Sequence, residues 1–121
     1  MRVAAFVAIL LAACGGGPAR TPVGTPAVTV QLSSNELRFD KAKINVPMDV
    51  TFAITLENQE VVPHNVIISG QPRPAGSEPF SGPASRTYVF AGLAAGTYTF
   101  VCELHPEMKG VLVSGGAAAA R

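Results

Sequence analysis

From Val28 onward, apolar residues recur at every second position in short bursts, with polar turn signals between them. Val28, Val30 and Leu32 alternate with Thr29 and Gln31, and Leu37-Arg38-Phe39 and Ile44-Asn45-Val46 repeat the pattern in miniature. The longest alternation places Val50, Phe52, Ile54 and Leu56 on one face, with Thr51 and Thr55 on the other. The β-branched residues Val61-Val62 and Val66-Ile67-Ile68 flank His64. Arg86–Phe90 is another run, Thr97–Cys102 sets Tyr98, Phe100 and Cys102 on one face, and Val111-Leu112-Val113 closes the series. A period of two is the signature of half-buried strands. Pro47-Met48-Asp49, Glu57–Glu60 and Ala91–Gly96 read as turns or polar loops. Gln71–Pro83 contains four prolines and reads as a long connection without regular structure, crossing from one sheet to the other. Nowhere does the spacing of an amphipathic helix hold. Seven to eight short strands predict an all-β fold, a Greek-key antiparallel β-sandwich or barrel.

The flanks follow other patterns. Met1-Arg2 is a short positive start, and residues 3–13 are apolar. That run is too short to span a bilayer and has the length of a signal-peptide core. Leu11-Ala12-Ala13-Cys14-Gly15 resembles a bacterial lipobox, in which cleavage precedes the cysteine and Cys14 carries the acyl chains. An ordinary signal peptide cut at an A-x-A-like site is the alternative. Glycine rather than aspartate at position 15 favours the outer membrane where a cell has two. In this reading residues 1–13 are a signal peptide and 14–26 a lipidated cysteine with a flexible linker. Such a linker reaches about 20 Å as a coil. Residues 27–114 are then the folded domain and 115–121 a disordered Gly/Ala-rich tail.

Composition narrows the class. Hydrophobic residues make up 48% and charged residues 14%, as in a chain that folds around an apolar core. The formal charge is +1, and loss of Arg2 with the signal leaves eight basic and eight acidic residues. No basic run or stripe marks a nucleic-acid interface, so nucleic acid is not an expected partner. Nothing in the sequence indicates an oligomer, and a monomer is expected.

The candidate chemistry gathers in two loops. Cys102-Glu103-Leu104-His105-Pro106-Glu107-Met108 carries a thiol, an imidazole and a thioether within seven residues. The other histidine of the chain, His64, lies in Val62-Pro63-His64-Asn65-Val66. Singly, each residue has an ordinary structural role, such as a small buried hydrophobe, a hydrogen-bonding ring or a core filler. Jointly they form a set. Cys102 is the only cysteine besides Cys14. With Cys14 lipidated, Cys102 meets an oxidising compartment without a disulfide partner. Structural zinc usually takes four Cys and His ligands and rarely a thioether. Two histidines, one cysteine and one methionine match a trigonal His₂Cys centre with a weak axial Met, the blue-copper arrangement. Four filled positions leave no open site for substrate, which argues against an enzyme.

Cys102-x-x-His105-x-x-Met108, with His64-Asn65 upstream, resembles the cupredoxin (type 1 blue copper) family in its plastocyanin/amicyanin-like form. Gly96–Cys102 before the motif and Lys109–Val113 after it fit that family's last two strands, and the resemblance extends over 28–113. It implies one type 1 copper ion as cofactor, with His64, Cys102 and His105 as equatorial ligands and Met108 axial. It places Asn65 beside the site, its backbone N–H toward the thiolate and its side chain tying the two ligand loops together. Glu103 and Met48 are not ligands in this reading. The implied function is single-electron transfer by Cu(I)/Cu(II) cycling, serving transient redox protein partners at the membrane of the cell envelope, on the periplasmic or extracytoplasmic face. Electrons would pass through His105, at an apolar patch of Leu104, Pro106 and Met108 rimmed by Glu103, Glu107 and Lys109. The alternative is an envelope copper-binding protein for trafficking or resistance. Its mark would be extra exposed Met or His residues, and beyond the site the processed chain offers Met48 alone. A cupredoxin-like structural or adhesion domain without metal is the third reading.

Overall fold

The computed structural model describes residues 24–116. The expected signal peptide and lipid-bearing Cys14 lie outside the described residues, as do most of the linker and most of the tail. Among the described residues there are eight strands and no helix: β1 (Val28–Asn35), β2 (Arg38–Phe39), β3 (Lys43–Val46), β4 (Phe52–Asn58), β5 (Ile67–Ile68), β6 (Ala84–Phe90), β7 (Gly96–Cys102) and β8 (His105–Ser114). They form two four-stranded sheets, ordered β2-β1-β4-β6 and β3-β8-β7-β5.

The alternating pattern decides which side chains lie between the sheets. Phe52, Ile54 and Leu56 of β4 are fully buried, and Ile44, Phe100 and Leu112 meet them from the other sheet. Each such side chain contributes roughly 1.5–3 kcal/mol by leaving water. Phe52 and Phe90 stack with ring centroids 5.2 Å apart. On the opposite face of the first sheet, Thr55 and Thr87 share a hydroxyl–hydroxyl hydrogen bond of 2.8 Å. Val61 and Val62, for all their β-branching, form no strand and are exposed.

The all-β sandwich is as expected, but not every pair of strands is antiparallel. β1 runs parallel to β4, with Val28 opposite Phe52, and β3 runs parallel to β8, with Lys43 opposite Val111. Hairpins make antiparallel neighbours, and neither of these pairs is joined by a hairpin. The chain leaves the first sheet after β2, contributes β3 to the second, and returns as β4 in the direction of β1. The 71–83 connection likewise carries the chain from β5 in the second sheet to β6 in the first, and has no strand of its own.

The ligand-bearing stretch also differs from expectation. Only Val111–Val113 reads as a strand, yet β8 begins at His105. Pairing with β7 imposes the strand: Phe100 lies opposite Gly110 and Val101 opposite Lys109. The register then shifts, Cys102 pairs with His105, and Pro106, Glu107 and Met108 are left as a bulge. Gly110 is required at its position. A Cβ there would strike the Phe100 ring and come within 2.7 Å of the Ala42 carbonyl oxygen.

Candidate metal centre

Three elements supply the predicted ligands at one end of the sandwich. His64 lies between β4 and β5, Cys102 ends β7, and His105 opens β8. Cys102 Sγ lies 3.8 Å from His64 Nδ1 and 3.6 Å from His105 Nδ1. All three ligand atoms fall within 4.8 Å of one another. With bonds of about 2.0 Å to nitrogen and 2.3 Å to sulfur, a 120° angle at a metal separates N from S by roughly 3.7 Å. The observed separations match that figure. The two imidazoles meet edge to face, centroids 4.9 Å apart. His64 and the unbridged thiol of Cys102 are fully buried, whereas His105 is partly exposed. Met108 is buried in the bulge. In an unbroken strand, residues three apart face opposite sides. The bulge breaks that alternation between His105 and Met108.

His64 is oriented from behind. Its Nε2 is 2.6 Å from Glu60 Oε2, which leaves Nδ1 toward the sulfur. A carboxylate on the outer ring nitrogen fixes both the tautomer and the ring angle of a metal-binding histidine. The same hydrogen bond holds the Glu60 carboxyl below its usual range, against the opposing push of burial. Glu60 is itself positioned: its backbone N–H donates to Asn58 Oδ1 at 2.9 Å, and the Leu37 N–H donates to its carboxylate at 3.3 Å. Glu36 and Leu37 have φ of 51° and 57°. Such a turn matches the twist of the β1–β2 hairpin. The His64 backbone exchanges hydrogen bonds with Phe80 at 3.1 and 3.0 Å. Asn58 completes the frame by donating to the carbonyls of Val62 and Phe80 at 2.9 and 2.8 Å.

The Asn65 side chain links the segment after His64 to the segment after Cys102. Its Oδ1 accepts from the Glu103 N–H at 2.8 Å. Its Nδ2 donates to the Ser77 carbonyl at 2.8 Å and to Glu103 Oε2 at 3.2 Å. Arg73 forks onto the same carboxylate, Nη1 donating to Oε2 at 2.8 Å and Nη2 to Oε1. The Arg73 hydrogen bond, with a smaller share from Asn65, holds the Glu103 carboxyl below its usual range, and Glu103 in turn raises Arg73. Sequence reasoning missed Glu60, Arg73 and Ser77. All three sit in irregular segments, where spacing along the chain says nothing about which groups meet.

The surface beside His105 needs one correction. Leu104 and Pro106 are exposed, but Met108 is only 2% exposed and cannot be part of a docking patch. Glu107 and Lys109 are exposed as expected, while Glu103 is engaged by Arg73. Met48 lies in the turn after β3, whose last residue Val46 pairs with Ser114, so it sits at the far end of β8 from His105.

A two-sheet sandwich that converges a cysteine and two histidines at one end defines a class of small β-framed domain. Residues 3–114 match the model of the Cupredoxin-like domain, and the chain belongs to that family. Amicyanin-alpha of Methylorubrum extorquens is 30% identical over 93% of this chain and 98% of its own length. The reduced auracyanin structure from Roseiflexus castenholzii superposes with a TM-score of 0.62 at 25% identity, covering 76% of this chain and 100% of that one. Auracyanin B superposes with a TM-score of 0.64 at 19% identity, over 77% of this chain and 92% of its own, and so shares the fold.

Proposed function

We propose that this chain is a membrane-anchored type 1 copper protein that carries single electrons between redox partners in the cell envelope. The observation that carries the reading is the convergence of Cys102 Sγ with the Nδ1 atoms of His64 and His105 at separations suited to one metal ion. These three residues would hold copper, with the buried Met108 thioether as the weak fourth ligand. A thiolate, two imidazoles and a thioether are the donor set of blue-copper sites. Bound copper supplies a one-electron Cu(I)/Cu(II) couple. The chain does the rest. Glu60 fixes the His64 ring, Asn65 locks the two ligand segments, and burial of His64 and Cys102 keeps water from the thiolate. His105, partly exposed and flanked by exposed Leu104 and Pro106, is the edge presented to a transient partner. A small apolar contact suits brief docking. Membership of the cupredoxin-like family and the similarity to amicyanin-alpha support the reading.

Lipid on Cys14 would hold the protein at the membrane, with residues 15–26 as a tether; the lipobox-like Leu11–Cys14 supports this. Several acyl chains on one cysteine anchor stably, each buried CH₂ adding about 0.8 kcal/mol. Residues 27–121 loaded with copper should show intense visible thiolate-to-copper absorption that is lost in Cys102→Ala. Colourless Cu(I) binding without redox cycling would instead mean trafficking or storage, and no copper uptake would sink both readings. Cys14→Ser should release the full chain from membranes; persistent tight association would count against the anchor.

A further inference from the structure

The 71–83 connection has no strand of its own, yet it is fastened to the metal centre at several points. Phe80 pairs with the His64 backbone, and the Ser77 carbonyl accepts from Asn65 at 2.8 Å. Arg86 donates to the Glu78 carbonyl at 2.8 Å and lies 4.7 Å above the Phe80 ring. At the front of the connection, Arg73 forks onto both carboxylate oxygens of Glu103, the residue after Cys102. That carboxylate also accepts from Asn65, the residue after His64. One cation therefore closes a ring running through the neighbours of two ligands.

We propose that Arg73 is a positioning residue of the metal centre: its guanidinium cancels the charge of Glu103 beside Cys102 and holds that carboxylate on Asn65. An uncompensated carboxylate on the residue after Cys102 would stabilise the oxidised site, which carries one more positive charge than the reduced one. With Arg73 in place, the pair is close to neutral as seen from the metal. The role rests on the copper reading above and makes the proline-rich connection part of the centre rather than a spacer.

The test measures the midpoint potential of the copper-loaded full-length chain and of three variants. Arg73→Gln leaves Glu103 unpaired and should favour the oxidised form, changing the Cu(II)/Cu(I) equilibrium against a fixed mediator by roughly three- to tenfold. Glu103→Gln keeps a hydrogen-bonding side chain, leaves Arg73 unpaired, and should shift the equilibrium the opposite way by a similar factor. The double variant should return close to wild type. Both single-variant shifts should shrink as salt rises from 0.01 to about 1 M, because half-exposed charges are screened over such a range. Shifts of the same sign, or none, in chains that keep the thiolate-to-copper absorption would overturn the role of Arg73 and leave the copper reading standing. A wild-type chain without that absorption would overturn both.

Discussion

Glu60 lies outside the candidate ligand set but holds one of its members, His64, by a hydrogen bond. It accepts from the outer nitrogen of His64 while the Leu37 and Asn58 contacts hold it in place. Removing such a partner typically costs 10- to 100-fold in metal affinity. Glu60→Ala should therefore weaken copper binding by about that factor in a competition titration, with Glu60→Gln falling between. An unchanged affinity in Glu60→Ala would show that packing alone sets the ring. Tyr88 is the opposite case, a fully buried phenol whose hydroxyl has no hydrogen-bond partner among the described residues. Burial is the main reason its pKa is pushed up to about 12 from 10.0, Arg86 opposing. The folded state thus keeps the proton more tightly than the unfolded chain. The resulting stability is fully present below pH 10 and is lost as the pH rises toward 12, by up to about 1.4 kcal/mol per pH unit. Tyr88→Phe removes an unpartnered buried group and should be neutral to about 1 kcal/mol more stable at pH 8. Its advantage over wild type should widen above pH 10 in denaturant melts. A parallel decline of both proteins would remove Tyr88 as the cause. The candidate ligands stood out in the sequence because their chemistry is rare in combination. Glu60, Arg73 and Tyr88 were not, because a glutamate, an arginine or a tyrosine acquires its role only from what folding puts beside it.

At the scale of elements, β8 carries most of the design. Its first residue is a predicted ligand, its bulge buries Met108, and its Gly110 admits the Phe100 ring. Overpacking of this kind typically costs 1–3 kcal/mol and occasionally more. Gly110→Ala should destabilise the apo domain by about that amount in denaturant unfolding, since Phe100 is fully buried and cannot move aside. A stability within error of wild type would mean that the ring shifts freely. Alternation located β4 and β7 to within two residues at each end, because their inward faces are apolar at every second residue, although Glu57 and Asn58, read as loop, belong to β4. It missed the first half of β8 because Pro106, Glu107 and Lys109 are poor strand formers, and the strand is imposed there by the pairing of His105 with Cys102 and of Lys109 with Val101 on either side of the bulge. The parallel pairs β1–β4 and β3–β8 were likewise out of reach, because strand direction in a two-sheet fold follows from where the chain crosses.

At the scale of the whole molecule, a metal binding at one end of the sandwich couples to global stability, because the unfolded chain does not hold His64 near Cys102. Ligand at a hundred times its dissociation constant adds about 2.7 kcal/mol. Copper should therefore raise the melting temperature of the wild-type domain by several degrees and leave Cys102→Ser nearly unchanged. An equal rise in both would place the stabilising ion elsewhere. By itself the sequence determined the all-β class, the crossing connection and the residue types suited to soft-metal chemistry. Alternation, turn chemistry and ligand softness are properties of residues, readable without neighbours. Only the tertiary structure decided that the fold brings His64 against Cys102, that Met108 is buried in a bulge, that Glu60 meets His64 and that Arg73 meets Glu103. Those are relations between segments far apart in the chain, and only the packing of the whole core fixes the distances on which they depend.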